Sequence, residues 1–454
     1  ATATAPARRT KWRVLRVLAA VLAVPGGLAV LAFLALLGRN IAAPDWVVAQ
    51  IEDRASATLG GGSLTVADVS FNLGYDLHPR VMLTGTELRD AEGSPLARIP
   101  LIEGLFSPRG VLFQRDALMQ DLRITGAQIN LRRAPDGSVA LSFQTGGADV
   151  EQAPSLLELL DQSDRIFDRP ALAALETIRA EGLIINYADA RAGRAWTVDG
   201  GALTLDVRDA TTTLAGTFAV LSGGADITTL DLEYVSPRDT QAATIAIDIQ
   251  DALAADIAAQ SPALSWLAGI DAPVSAQLRS ARRADGTIAP LDARLTLGAG
   301  ALRPNAATKP IAFEGAAADL SFNPARNLID FHQLSVNGDL GRVQARGQAF
   351  LSDVQDGLPN SLTGQFQFTD TALNPPELYD APLLIPEMLV DMRLNLAPFA
   401  VDIGQIYASL PGVVLRGDGR LAATDLGWDL ALDMHIPTAE HADLMALWPA
   451  SAVV

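Results

Sequence analysis

The chain has no cysteine among its 454 residues. That absence removes disulfides, thiolate nucleophiles and cysteine-ligated zinc or iron–sulfur sites together. Histidine is scarce too: His78, His332, His435 and His441 are the full set. None of them stands at a metal-ligand spacing on one regular element, and His435 and His441 flank Pro437. No Gly-x-Ser-x-Gly elbow and no phosphate loop occurs, and Gly298-Ala299-Gly300 lacks the third glycine of a dinucleotide fingerprint. Neither an enzyme, nor a cofactor, nor a bound metal is expected. Asp429 and Asp433 share one strand face, but a solvated acidic face explains them better than calcium, which needs a shaped loop of oxygens.

Positive charge is also in short supply, with 34 Lys and Arg against 52 Asp and Glu and a formal net charge of −18. Five cations, Arg8, Arg9, Lys11, Arg13 and Arg16, lie in residues 1–38, leaving about −23 on the remainder. Nucleic acid is excluded as a partner, because phosphate binding needs clustered Lys and Arg. Aromatics make up only 6% although hydrophobic residues reach 49%. An apolar excess of aliphatic residues must be buried or must bind something apolar.

One long apolar run is present. Val17 to Gly38 carries no charge, and Val17, Leu22, Pro25, Leu31, Phe33 and Leu37 mark its length. As a helix at about 1.5 Å per residue it spans one hydrocarbon core. A cleaved signal peptide has a shorter apolar core, and Asn40-Ile41-Ala42-Ala43-Pro44 is a poor cleavage site. The run is therefore expected to be a membrane anchor. The cations before it are topology-setting and keep the N-terminus cytoplasmic, with the bulk of the chain exported.

Beyond it, Asp45 to Leu59 has the pattern of an amphipathic exit helix, with Trp46, Val47, Ile51 and Leu59 on the apolar side and Gly60-Gly61-Gly62 as the stop. The dominant period then becomes two. Strands are expected over Leu64–Leu73, Val81–Arg89, Leu96–Ile99 and, as a pair, Leu122–Leu131. Residues 146–182 read as a helical insertion, since Leu156, Leu157, Leu160, Ile166, Leu172, Leu175 and Ile178 recur at helical spacing. Strands resume from Leu183 and alternate cleanly. Leu203 and Leu205, then Ile245, Ile247 and Ile249, then Phe366 and Phe368 each share one face. Leu426, Trp428, Leu430, Leu432, Met434 and Ile436 form one face of a single long strand over 426–436. Short helices are expected over Ala252–Leu267 and His441–Pro449, hinting at a repeated strand-run-plus-helix unit.

One-sided alternation means one wet and one dry face. Two architectures satisfy it: sandwiches whose dry faces pack on each other, or one long curved sheet whose dry face lines a trough. Roughly twenty candidate strands could build a sheet of about 100 Å at about 4.8 Å per strand.

Gly-Gly-Ser-Leu-Thr-Val-Ala-Asp-Val-Ser at 61–70, the segment from Pro79 to Gly93, Leu264 to Pro273 and Asp402-Ile403-Gly404-Gln405 together resemble the AsmA-like family, in its YhdP-type branch. These motifs are structural, and the resemblance runs over most of the chain. It implies a mainly β protein with short helices: an N-terminal transmembrane helix followed by a long curved antiparallel sheet forming an elongated hydrophobic groove. The implied divisions are a basic tail and anchor over 1–38, a chorein-like β region over 39–145, the helical insertion over 146–182 and a repetitive groove over 183–454, continuing beyond Val454. It further implies a single-pass bacterial inner-membrane protein with a periplasmic bulk. Its activity would be phospholipid transfer toward the outer membrane, with outer-membrane or other envelope proteins as further partners. The alternative is a scaffold or chaperone for outer-membrane proteins, adding client strands at a sheet edge.

Overall fold

The computed structural model describes residues 37–58, 62–89, 93, 95–108, 110, 118–133, 139–140, 174–189, 194–207, 210–222, 227–238, 240–259, 262–355, 358–374, 379 and 381–447. Two compact units emerge, 1–131 with 138–181, and 132–137 with 182–454. Both are mainly β with short helices. Among the described residues no helix is long and apolar enough to cross a membrane. The expected anchor positions Val17, Leu22, Pro25, Leu31 and Phe33, and the cations Arg8, Arg9, Lys11, Arg13 and Arg16, lie outside the described residues.

The first unit contains β1 (Asn40–Ala42), α1 (Asp45–Thr58), β2 (Ser63–Leu73), β3 (Pro79–Arg89), β4 (Pro95–Phe106), β5 (Met119–Thr125), β6 (Gln128–Arg133), β7 (Val139–Ala140) and the start of β8 (Thr177–Asp189). β1 to β5 follow one another as antiparallel neighbours, and β8 joins β5 in parallel. Alternation puts apolar side chains in register across these strands. Ile41, Phe71, Val81, Gly104, Leu122 and Ile178 form one cross-strand row, and Val69, Leu83, Ile102, Ile124 and Ala180 the next.

The exit helix occupies almost the expected span. It covers the part of β2 that β1 leaves bare, since β1 reaches only Ser70–Asn72. The Glu52 carboxylate accepts from the Val66 amide at 2.7 Å, and the Ser56 hydroxyl accepts from the Leu64 amide at 3.1 Å. Edge amides that would otherwise recruit a foreign strand are thereby satisfied. Trp46 departs from expectation. It is 69% exposed, while Val47, Val48 and Ile51 are half-buried toward the sheet.

The second unit continues with β9 (Arg194–Asp206), β10 (Thr211–Leu221), β11 (Ile227–Pro237), β12 (Ala243–Leu253), α2 (Ala254–Ala258), a 3₁₀ helix (Pro262–Gly269) and β13 (Ile270–Asp271). Then come β14 (Pro273–Arg282), β15 (Leu291–Leu297), β16 (Gly300–Leu302), β17 (Ile311–Phe313), β18 (Gly315–Asn323), β19 (Leu328–Gly338), β20 (Gly341–Gln355) and β21 (Leu358–Leu373). β22 (Leu383–Asn395), β23 (Ala400–Leu410), β24 (Val413–Thr424), β25 (Gly427–His435) and α3 (His441–Leu447) complete it. Each long strand from β9 onward pairs antiparallel with the next long strand, a continuous meander. β13, β16 and β17 form a separate three-stranded sheet.

Three expectations need correction. Ile178, read as helical, sits in β8 opposite Leu122, and Leu175 precedes that strand as a buried loop residue. Ladder pairing with β5 outweighs a local helical spacing. The remaining residues of the expected helical insertion up to 173 lie outside the described ones. The helix expected over 252–267 is broken: β12 runs to Leu253, and Pro262 starts a separate 3₁₀ turn. Leu37, expected at the end of the anchor, instead bridges Leu73, and the Gly38 amide donates to the Leu73 carbonyl at 2.8 Å.

Candidate functional site

The meander of the second unit has one apolar face and one polar face along its whole width. Starting at the edge, Met434 lies opposite Gly417, which lies opposite Ile406, then Val390, Phe366, Gly347 and Phe331. The row goes on through Leu320, Ala293, Leu278, Ile247, Leu232, Gly216 and Leu203. No polar side chain interrupts it from β25 to β9. A parallel row runs from Leu415 through Ala408, Met388, Phe368, Ala345, Leu334, Ala318, Leu295, Ala276, Ile249 and Leu230 to Phe218. Between them on the opposite face runs a polar row that includes Thr217, Asp231, Asp248, Gln277, Arg294, Asp319 and Gln333.

Bulges keep these rows in register. Phe331 and Leu334 are three residues apart, yet they face Gly347 and Ala345, two apart, because the ladder shifts between them. Ile403 and Ile406 do the same against Gly419 and Gly417. A bulge restores the apolar side after one extra residue, and it bends the strand. Sequence alternation alone misses both pairs, since strict period two puts one member of each on the wet side.

The sheet of this unit curls. Residues 298–314 leave it between β15 and β18 and reach the β24–β25 hairpin. Trp428 Nε1 donates to the Lys309 carbonyl at 2.7 Å, and Asn305 Nδ2 donates to the Thr424 carbonyl at 3.2 Å. Lys309 is six residues from Gly315, a reach of about 20 Å when fully extended. In a flat sheet β25 would lie about 34 Å from β18, at seven strand spacings. The contact therefore requires β24 and β25 to turn back toward β18. The apolar side is the inner one. Phe331 and Phe366, two strands apart, bring their rings to 5.5 Å over Gly347, whose missing side chain opens the gap. Phe366, Val390 and Ile406 are buried on this side.

Most residues singled out in the sequence fall on this face: Leu203, Leu205, Ile245, Ile247, Ile249, Phe366, Phe368, Leu430, Leu432 and Met434. Leu205 and Ile245 belong to a further row with Leu214 and Tyr234. Trp428 shares the face, packs edge-on against Phe399 at 5.8 Å and holds Lys309. Leu426 does not belong to it. The single strand expected over 426–436 is shorter, and Leu426 sits in the hairpin turn, 99% exposed, ahead of Gly427 at φ 118°. Ile436 lies just past β25 and packs against the buried cluster of Val390, Ile406, Ala408 and Val413. Leu447 of α3 packs on the same cluster.

Solvation varies along the face. At the β25 edge Leu430 is 60% exposed and Leu432 50%, whereas Phe366 is 8% exposed. β25 has no second strand neighbour among the described residues. The Tyr234 hydroxyl is buried without a hydrogen-bond partner. The opposite face is wet and charged, with Arg294 paired to Asp319 at 3.2 Å and Arg420 to Asp402 at 2.7 Å. Its hollows, such as the one between Arg346, Gln348, Gln365, Gln367 and Asp391, are shallow and open. Among the described residues no group of three or more His, Asp or Glu is placed to hold a metal ion. The chain matches no protein-family model, no curated protein and no solved structure.

Proposed function

We propose that the chain is a lipid-transfer protein of the bridge type, which carries phospholipid acyl chains along the apolar face of its curled sheet. The supporting observation is the two unbroken apolar rows, one from β9 to β25 and one from β10 to β24, with no polar side chain to stop a sliding acyl chain. Dispersion and hydrophobic contacts are nearly uniform along such a row, so one position costs about as much as the next. The acidic outer face keeps the assembly soluble and repels anionic headgroups. The resemblance drawn from the sequence completes the reading: an inner-membrane anchor at the N-terminus, a periplasmic body and transfer between inner and outer membranes. No chemical step is needed, and the protein is not an enzyme in this reading.

Native mass spectrometry of the purified protein tests it. Co-purifying phospholipid is expected, at reduced occupancy when Leu430 and Leu432 are both changed to Asp. Protein that emerges lipid-free from a membrane extract, and stays so after incubation with phospholipid, argues against the proposal.

One observation favours a second reading, a scaffold or chaperone for outer-membrane proteins. β25 is an edge strand with Leu430, Leu432 and Met434 exposed on one side, the arrangement that accepts an added strand. Crosslinks from β25 to a protein strand, in place of lipid, would favour it.

A further inference from the structure

The first unit carries a feature that lipid transfer along the second does not use. On the polar side of its sheet, Arg123 of β5 lies directly beside Arg179 of β8 in the parallel ladder. Like charges in register repel across neighbouring strands. A pair of carboxylates stands nearby: Glu103 is opposite Arg123 in the β4–β5 ladder, and Asp121 is two residues before it. Neither closes an ion pair with either arginine. Arg80, the third guanidinium present, is held by Asp76 at 2.8 Å. Arg80, Glu103, Asp121, Arg123 and Arg179, with Thr177, line a cavity of about 250 Å³. Thr177 is 3% exposed.

Two guanidiniums that close no ion pair, and the hydroxyl of Thr177, meet at one cavity whose lining also includes the carboxylates of Glu103 and Asp121. Guanidinium forks match tetrahedral oxyanions bidentately, and a hydroxyl takes a further oxygen. We propose that this cavity binds a phosphate group, with Arg123 and Arg179 as the paired forks and Thr177 as the third donor. Its size admits a phosphate ester with a small polar substituent. Glu103 and Asp121 in the lining select against more highly charged anions. The phosphate is either a free soluble ester or the headgroup of a lipid. The site lies within one unit and does not depend on the lipid-transfer reading.

Calorimetric titration of the full-length chain in detergent tests this with two probes: inorganic phosphate, and dihexanoylphosphatidylglycerol below its micelle concentration. Saturable binding of at least one is expected. Arg123→Gln and Arg179→Gln should each weaken it by about tenfold or more, while Arg294→Gln, at a paired arginine of the other unit, leaves it unchanged. Saturation by phosphate alone assigns a soluble ligand, and saturation only by the lipid analogue assigns a headgroup. Should a Gln variant lose its circular dichroism signal, Arg123→Lys and Arg179→Lys keep the charge and remove the fork, and weaker binding is still expected. The proposal is overturned if neither probe saturates the wild-type chain, or if the folded arginine variants bind as tightly as the wild type.

Discussion

The indole Nε1 of Trp428 donates a 2.7 Å hydrogen bond to the carbonyl oxygen of Lys309, a residue 119 positions away in the chain. That contact ties residues 298–314 to the free edge of the meander and fixes the curl of the second unit. Trp428→Phe keeps the aromatic packing on Phe399 and removes the donor. The expected cost is about 1 kcal/mol. Hydrogen exchange of the amides in residues 300–313 should quicken while those of β20 to β22 do not change. Unchanged exchange in 300–313 would mean that the tie is not what holds this segment.

The apolar face is not equally sensitive along its length. Leu430 is 60% exposed, so Leu430→Asp should change stability by less than about 1 kcal/mol while reducing lipid occupancy. Phe366 is 8% exposed, so Phe366→Asp places a carboxylate among Phe331 and Val390 and should destabilise by several kcal/mol. Denaturant unfolding of the two variants side by side checks the contrast. Equal losses would mean that Leu430 is buried in solution by something that covers β25.

Tyr234 sits between Leu214 and Ile245 with a buried hydroxyl that has no partner. A buried unsatisfied hydroxyl costs about 1–3 kcal/mol. Tyr234→Phe should therefore leave the midpoint of thermal unfolding unchanged or raise it, by a few degrees at most. A clear loss of stability would reveal a hydrogen bond to bound water or ligand at this position.

In the first unit, the hydrogen bonds from Arg89 and then Arg98 hold the Glu87 carboxyl below its ordinary value of 4.5. Arg98 Nη2 lies 2.7 Å and Arg89 Nη2 3.0 Å from it. A carboxyl with a depressed folded pKa stabilises fully above its unfolded value, and that contribution is lost as pH falls through the folded one. Stability should thus decline below about pH 4.5, and Glu87→Gln should flatten the decline. Urea midpoints at pH 7 and pH 3 for both proteins measure it. The effect is small, because the group is exposed.

Much of this arrangement was legible in the residues. Period-two alternation located strands such as β2, β3, β9, β12, β21 and β25, because a sheet wet on one side leaves that signature, but it did not single out β10, β11, β14, β18, β19, β22 or β23. It misplaced Leu426 because an apolar residue in a tight turn happens to continue the alternation, and only the φ of Gly427 ends the strand. It lost Phe331 and Leu334 as face-mates because a bulge adds a residue that no local pattern announces. Ile178 followed a helical spacing and still paired with Leu122, a partner 56 residues away. The contacts of Asn305 with Thr424 and of Trp428 with Lys309 are long-range by nature, so the curl was not legible at all. Neither was the Arg123–Arg179 pair, which exists only because β8 joins β5 in parallel.

Site-specific photocrosslinking tests lipid carriage most directly. A photoreactive amino acid is placed at Ile247, Leu334 and Leu432 on the apolar face, and at Asp248, Gln333 and Asp433 on the polar face. After illumination in cells, phospholipid adducts are expected at all three apolar positions, from β12 to β25, and at none of the polar ones. Adducts on both faces alike, or on neither, would contradict lipid carriage along the sheet.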